Sequence, residues 1–167
     1  LNYICDPQHR HRYVVTPKLD GVRKLLVMCA EGTFLVARDL SVVRLCEFTV
    51  ASPCVLDGEY MGDTFFAFDL LVLSGVDVRS QPFVSRYVQL EALEMPALSK
   101  VKEMVPLSAL ETVVRAMPAQ AVDGLIFIDQ DSTYEFADMF SLVKWKPTPT
   151  FDVLVHMRDL CSRDGRP

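Results

Sequence analysis

Charged residues set inside runs of strand-forming residues constrain this chain more than any other feature. Lys18-Leu19-Asp20-Gly21-Val22-Arg23 lies between two apolar runs, residues 13–16 and 22–30. Four further segments repeat the anomaly: Asp57-Gly58-Glu59, Phe68-Asp69, Asp123-Gly124 and Lys144-Trp145-Lys146 each place charge within or at the end of an otherwise apolar stretch. A desolvated charge is costly unless it meets an opposite charge or a ligand. One such segment is readily explained as a strand end reaching solvent. Five in 167 residues are expected to share one site.

The same runs set the fold class. Residues 1–11 carry turn-forming types and read as an irregular lead-in. Strands are expected at 13–16 and 22–30, joined across 18–21 with Pro17 disfavouring helix before the lysine. Glu31-Gly32 signals a hairpin into a strand at 33–38, and a third strand follows at 42–46. Residues 54–60 and the aromatic-rich 64–73, separated by a turn at Met61-Gly62-Asp63, read as further strands, the second of them buried and central. A helix is expected from Pro82 to about Met95. A second should start at Ser108, capped in an S-x-x-E box with Glu111, and end before Pro118. Residues 101–105 form a candidate short strand between them. Strands at 122–128, 141–147 and 150–156 complete the pattern, with an acidic irregular segment at 129–139. The expectation is an α+β domain of mostly antiparallel β-sheets flanked by helices.

Composition excludes several function classes. With 50% hydrophobic and 23% charged residues the chain is that of an ordered globular protein. Net charge is −5, which does not suit a broad basic surface, so contact with a polyanion must be local. Five cysteines without a C-x-x-C pair argue against a disulfide scaffold or zinc site and for free thiols in a reducing compartment. The three histidines form no ligand or catalytic spacing. No apolar run approaches the roughly 20 residues of a membrane span, and no membrane association is expected.

The shared site holds three or four carboxylates, three lysines and an arginine, with aromatic residues nearby. Period-2 geometry puts Lys144 and Lys146 on one strand face with Trp145 on the other, and groups Asp57 with Glu59. Such a set suits a polyphosphate with a divalent cation. Phe68 reads equally as core or as a platform for a base, Asp69 as structural, and Trp145 as a core residue.

These segments resemble, in order, the motifs of the covalent nucleotidyltransferases, the superfamily of DNA ligases, RNA ligases and RNA-capping guanylyltransferases. Lys18 to Arg23 is similar to motif I (K-x-D-G-x-R), Leu56-Asp57-Gly58-Glu59 to motif III, Phe66-Ala67-Phe68-Asp69-Leu70-Leu71 to motif IIIa, Asp123-Gly124-Leu125-Ile126-Phe127 to motif IV and Leu142-Val143-Lys144-Trp145-Lys146-Pro147 to motif V. Gly75 to Arg79, Pro82-Phe83 and Arg86 resemble the stretch after motif IIIa. K-W-K-P followed by Thr150-Phe151-Asp152 resembles the capping branch, as does D-G rather than E-G in motif IV.

The resemblance implies a nucleotidyltransferase domain over residues 1–155, ATP-grasp-like in the manner of ligases and capping enzymes. Residues 156–167 would be a linker toward a C-terminal OB-fold domain that holds pyrophosphate. It implies an mRNA guanylyltransferase in which Lys18 attacks the α-phosphate of GTP, forming lysyl-GMP that passes to a 5′-diphosphate RNA end. Asp20, Arg23, Glu59, Phe68, Lys144 and Lys146 would bind the nucleotide, and Glu59, Asp123 and Asp20 would place Mg²⁺ or Mn²⁺. Partners would include an RNA triphosphatase and a cap methyltransferase, in the nucleus, the cytoplasm or a viral replication site, and the short spacing around the motifs leans viral. An ATP-dependent ligase core and a catalytically silent scaffold are the alternatives.

Overall fold

A computed structural model describes residues 2–116, 122–134 and 141–146. The strand at 150–156 and the linker at 156–167 lie outside these residues.

Two sheets carry the fold. The larger contains β2 (Val22–Cys29), β3 (Gly32–Val36), β4 (Val42–Cys46), β5 (Cys54–Met61), β6 (Thr64–Leu73) and β7 (Val76–Asp77), in the order β4-β3-β2-β5-β6-β7, with β8 (Ser99–Val101) also paired to β6. The smaller is ordered β11-β10-β1-β9, from β1 (Tyr13–Leu19), β9 (Val105–Pro106), β10 (Val122–Asp129) and β11 (Leu142–Trp145). Pairing is antiparallel except between β6 and β8. The α+β reading with mainly antiparallel sheets therefore holds.

Each sheet has its own apolar core. Leu26, Met28, Leu56, Phe65, Ala67 and Leu70 pack on the larger, and Ile4, Tyr13, Val15, Leu125 and Phe127 on the smaller. The alternation of these residues along their strands gives each strand one apolar face, which is why two faces can be buried separately. Gly58 lies on the core face of β5. A Cβ there would stand 2.3 Å from the Phe65 ring, so the ring occupies the space a side chain would fill.

The chain passes between the sheets twice near the charged residues. β1 ends in the smaller sheet and β2 begins in the larger, across Asp20-Gly21, so the two strands flanking motif I do not pair with each other. The expected strand at 101–105 is divided in the same way. β8 ends at Val101 in one sheet, β9 starts at Val105 in the other, and Lys102 lies between them with its backbone N–H on the Ala67 carbonyl, 2.7 Å away.

Helices depart most from expectation. Residues 2–5 form a short helix, α1 (Asn2–Cys5), and Arg10–Arg12 a 3₁₀ turn, where an irregular lead-in was expected. α2 (Phe83–Glu91) stops before Met95, consistent with Pro96 disfavouring helix at the residue before it. Its first N–H groups are satisfied by carbonyls from the segment after β10: Phe83 N–H donates to Ser132 O (2.8 Å) and Val84 N–H to Gln130 O (3.0 Å). Ser108 does not cap α3 (Leu110–Ala116), because it lies inside a 3₁₀ turn, Leu107–Ala109. Glu111 instead pairs with Arg115 one turn on, at 2.5 Å.

Candidate active site

Lys18, near the end of β1, has its Nζ 2.5 Å from Asp123 Oδ2 on the neighbouring β10. Lys146, just beyond β11, contacts the same oxygen at 2.7 Å. Register explains the meeting: β10 lies between β1 and β11, so residues near one end of the smaller sheet converge on Asp123. The Lys146 and Lys18 hydrogen bonds hold the Asp123 carboxyl below its usual range. Gly124 takes φ +140°, and a Cβ there would lie 2.0 Å from the Trp145 carbonyl. Only glycine lets β11 approach this closely behind the aspartate.

A cavity of about 550 Å³ opens between the sheets, lined among others by Thr16, Arg23, Glu59, Phe68, Lys102 and Lys144. Its size suits a small-molecule ligand. Asp57 and Glu59 both line it, as their period-2 spacing requires, and Lys144 from the smaller sheet lines it too. Phe68 and Asp69 also both line it, although adjacent strand residues ordinarily face opposite ways. A bulge in the β5–β6 register resolves this, since Asp57 pairs with Asp69 and Gly58 with Ala67, leaving Phe68 as the extra residue.

Two carboxylate–guanidinium pairs brace the larger sheet. Asp57 is wholly buried and receives Arg23 Nε on Oδ1 (3.0 Å) and Arg23 Nη2 on Oδ2 (2.5 Å). This pairing raises the Arg23 pKa further. Arg86, also buried, donates through Nε and Nη2 to the two oxygens of Asp69, each at 2.8 Å. Burial pushes the Asp69 carboxyl upward while Arg86 pulls it down. The structural reading of Asp69 therefore holds.

Lys102 and Tyr134 were missed at the level of sequence. Lys102 is 5% exposed, with Nζ 3.5 Å from Glu59 Oε2 and 5.9 Å from the centre of the Phe68 ring. Burial depresses its pKa, against the opposing pull of Glu59. Its neighbours Ser99, Lys100 and Glu103 are polar, so the local pattern reads as a solvated edge. Tyr134 falls in the segment expected to be acidic and irregular. Trp145, expected in the core, is 36% exposed on β11, which ends the strand order of the smaller sheet.

Two buried oxygens in the cavity wall, Thr16 Oγ1 and Glu59 Oε2, have no hydrogen-bond partner among the described residues. Glu59 Oε2 instead forms an ion pair with Lys102 Nζ at 3.5 Å. The three carboxylates expected to share a metal do not converge: Asp20 is exposed at the crossing between the sheets, Glu59 faces Lys102, and Asp123 faces Lys18 and Lys146. Among the described residues no three acidic, histidine or cysteine side chains cluster as a metal cage. The donor set fits a cation held by one or two carboxylates and by substrate phosphates.

The family described as mRNA capping enzyme, catalytic domain, matches residues 7–148. Two mRNA-capping enzymes of African swine fever virus isolates are 29% and 26% identical to this chain, each over 86% of it. The chain spans 18% of the length of those relatives. Among solved structures, a mycobacterial DNA ligase D complexed with ATP and MES superposes with a TM-score of 0.62 at 22% identity, covering 81% of this chain and 54% of that one. The ligase domain of M. tuberculosis LigD gives 0.63 at 23%, covering 80% and 53%. These two likenesses show that the chain shares the fold of those ligase domains.

Proposed function

The chain belongs to the mRNA capping enzyme catalytic-domain family, and from that premise we propose that it is the nucleotidyl-transfer core of an RNA guanylyltransferase. Lys18 is the nucleophile. Its Nζ attacks the α-phosphorus of GTP, an N–P bond forms, and the bond to the bridging oxygen breaks as pyrophosphate leaves. In the second step a terminal oxygen of a 5′-diphosphate RNA attacks the same phosphorus, and the lysine nitrogen departs and regains a proton.

The observation that carries this reading is the convergence of Lys18 and Lys146 on Asp123 beside a cavity walled by Arg23, Glu59 and Phe68. An ammonium has no lone pair, so Lys18 must give up a proton before it attacks. Lys144 and Lys146 can offset charge on the phosphates in the transition state. Asp123 and Glu59 are assigned to Mg²⁺ or Mn²⁺, with Asp20 acting through water. Bound there, the cation would neutralise phosphate charge. Arg23 and Glu59 are assigned to the ribose and Phe68 to the face of the base.

GTP is favoured over ATP by the wording of motifs IV and V, D-G and K-W-K-P, and Lys102 in the cavity wall is a donor that suits guanine. A lysine only donates, guanine offers O6 and N7 as acceptors, and adenine puts an amino donor where guanine has O6. The ligase reading rests on neighbours whose identity supports fold alone. An OB-fold domain, an RNA triphosphatase and a cap methyltransferase are the partners that the capping reading brings with it.

Exchange of labelled pyrophosphate into nucleotide tests the reading without needing RNA, because only a reversible nucleotidyl-enzyme step incorporates it. Exchange into GTP well above ATP is expected, and lost in Lys18→Ala. Exchange into ATP alone would support the ligase core, and none into either nucleotide the silent scaffold.

A further inference from the structure

We infer that Tyr134 is a positioning residue, holding the Arg23 guanidinium in place at the cavity wall by sharing the Asp57 carboxylate with it. The inference rests on the nucleotide site proposed above. Tyr134 O–H donates to Asp57 Oδ2 at 2.8 Å and accepts from Arg23 Nη2 at 3.1 Å. One hydroxyl thus uses its donor and an acceptor on the two members of a single ion pair. Burial, then the Asp57 charge, raises the phenol pKa, which keeps the proton needed for donation.

The residue is itself held from two sides. Its backbone N–H bonds to the Arg79 carbonyl at 2.9 Å, and its ring stands 6.0 Å from the Arg86 guanidinium carbon. Arg86 is fixed by Asp69 and also donates to the Ser132 carbonyl at 3.2 Å. Tyr134 therefore belongs to the segment that follows β10 of the smaller sheet, while Arg23 and Asp57 belong to β2 and β5 of the larger. Its hydroxyl is a cross-sheet tie.

The consequence concerns Arg23, whose side chain is half exposed while that of Asp57 is fully buried. Asp57 fixes the inner edge of the guanidinium, and the tyrosine occupies a further direction on Nη2. The guanidinium carbon is then 5.9 Å from the centre of the Phe68 ring, so the same tie sets how ribose and base contacts are spaced. A misplaced positioning group weakens ligand binding even though it touches none of the reacting atoms.

The test is a double-mutant cycle on the whole chain with Tyr134→Phe and Arg23→Lys, reading GTP dissociation constants by calorimetry and melting temperatures for every variant. Tyr134→Phe is expected to weaken GTP binding about tenfold, as loss of a hydrogen bond to a charged group would. In the Arg23→Lys background the same change should matter less than about twofold. Maximal rates of nucleotidyl transfer should stay within about twofold, leaving the effect in KM. Tyr134→Gln, which restores a donor toward Asp57, should recover part of the affinity and stands in should the phenylalanine variant not fold. Undiminished GTP binding by Tyr134→Phe, additivity in the cycle, or a lowered melting temperature with unchanged affinity would each overturn the inference. If the unaltered chain itself binds no GTP, the proposed function fails first, and that result is distinct from unaltered binding in the variant.

Discussion

At Lys102 burial and charge pull in opposite directions, and burial wins. The unfolded lysine keeps its proton up to about pH 10.5, whereas the folded one releases it earlier. Between those two pKa values the unfolded state binds more protons, so this residue's contribution to stability rises with pH in that window and is least favourable below it. Urea midpoints of the unaltered chain and of Lys102→Met, followed from pH 7 upward, should show the unaltered chain gaining on the variant as pH approaches 10.5. A constant gap would mean that the lysine is not desolvated. Gly124 offers a second residue-level test. Gly124→Ala combines a backbone region nearly confined to glycine, costing about 1–3 kcal/mol, with a clash against the Trp145 carbonyl. The expected outcome is a loss above about 3 kcal/mol in chemical denaturation, or no folded protein. Lys18, Arg23, Asp123 and Lys146 were legible in the sequence because charge interrupts apolar runs there. Lys102 was not, because the groups around it are distant in the chain: its backbone bonds to Ala67, 35 positions away, and its side chain meets Glu59 and Phe68.

The elements that matter most for the site are those that cross or bridge the sheets. α2 is joined to the segment after β10 by two backbone bonds at its N-terminus and to β6 by the Arg86–Asp69 pair. Both side chains of that pair are at most 9% exposed, so removing one strands the other. Arg86→Met should cost about 3–5 kcal/mol. Asp69→Leu combined with Arg86→Met should recover much of it, because two apolar groups replace a buried pair. Urea denaturation of the three proteins checks this, and equal loss in the single and double variants would contradict it. Most strands were legible from alternation and turn residues, β4 and β6 to the residue. Alternation cannot announce a bulge, however, so the common facing of Phe68 and Asp69 was hidden. Nor can a capping motif compete with tertiary structure: Ser108 was drawn into a 3₁₀ turn that packs Leu107 against the core of the smaller sheet.

For the whole molecule, the two sheets explain how an acidic chain gathers positive charge in one place. The net charge is −5, yet Lys18, Arg23, Lys102, Lys144 and Lys146 gather around the gap between the sheets, four of them at or next to strand ends and one at a chain crossing. No helix among the described residues is long and apolar enough to span a membrane. The fold class was readable from the order of strands and helices. Which strands share a sheet was not, since the separation of β1 from β2 depends on pairings with β10 and β5 far along the chain. The central claim is that Lys18 is guanylylated. Incubating the chain with GTP and a divalent cation, then mapping adducts by peptide mass spectrometry, tests it most directly. The account predicts a base-stable, acid-labile guanylyl group on Lys18, formed in preference to an adenylyl group when ATP is supplied instead. An adduct on another residue, an adenylyl group formed in preference, or no adduct at all would contradict it.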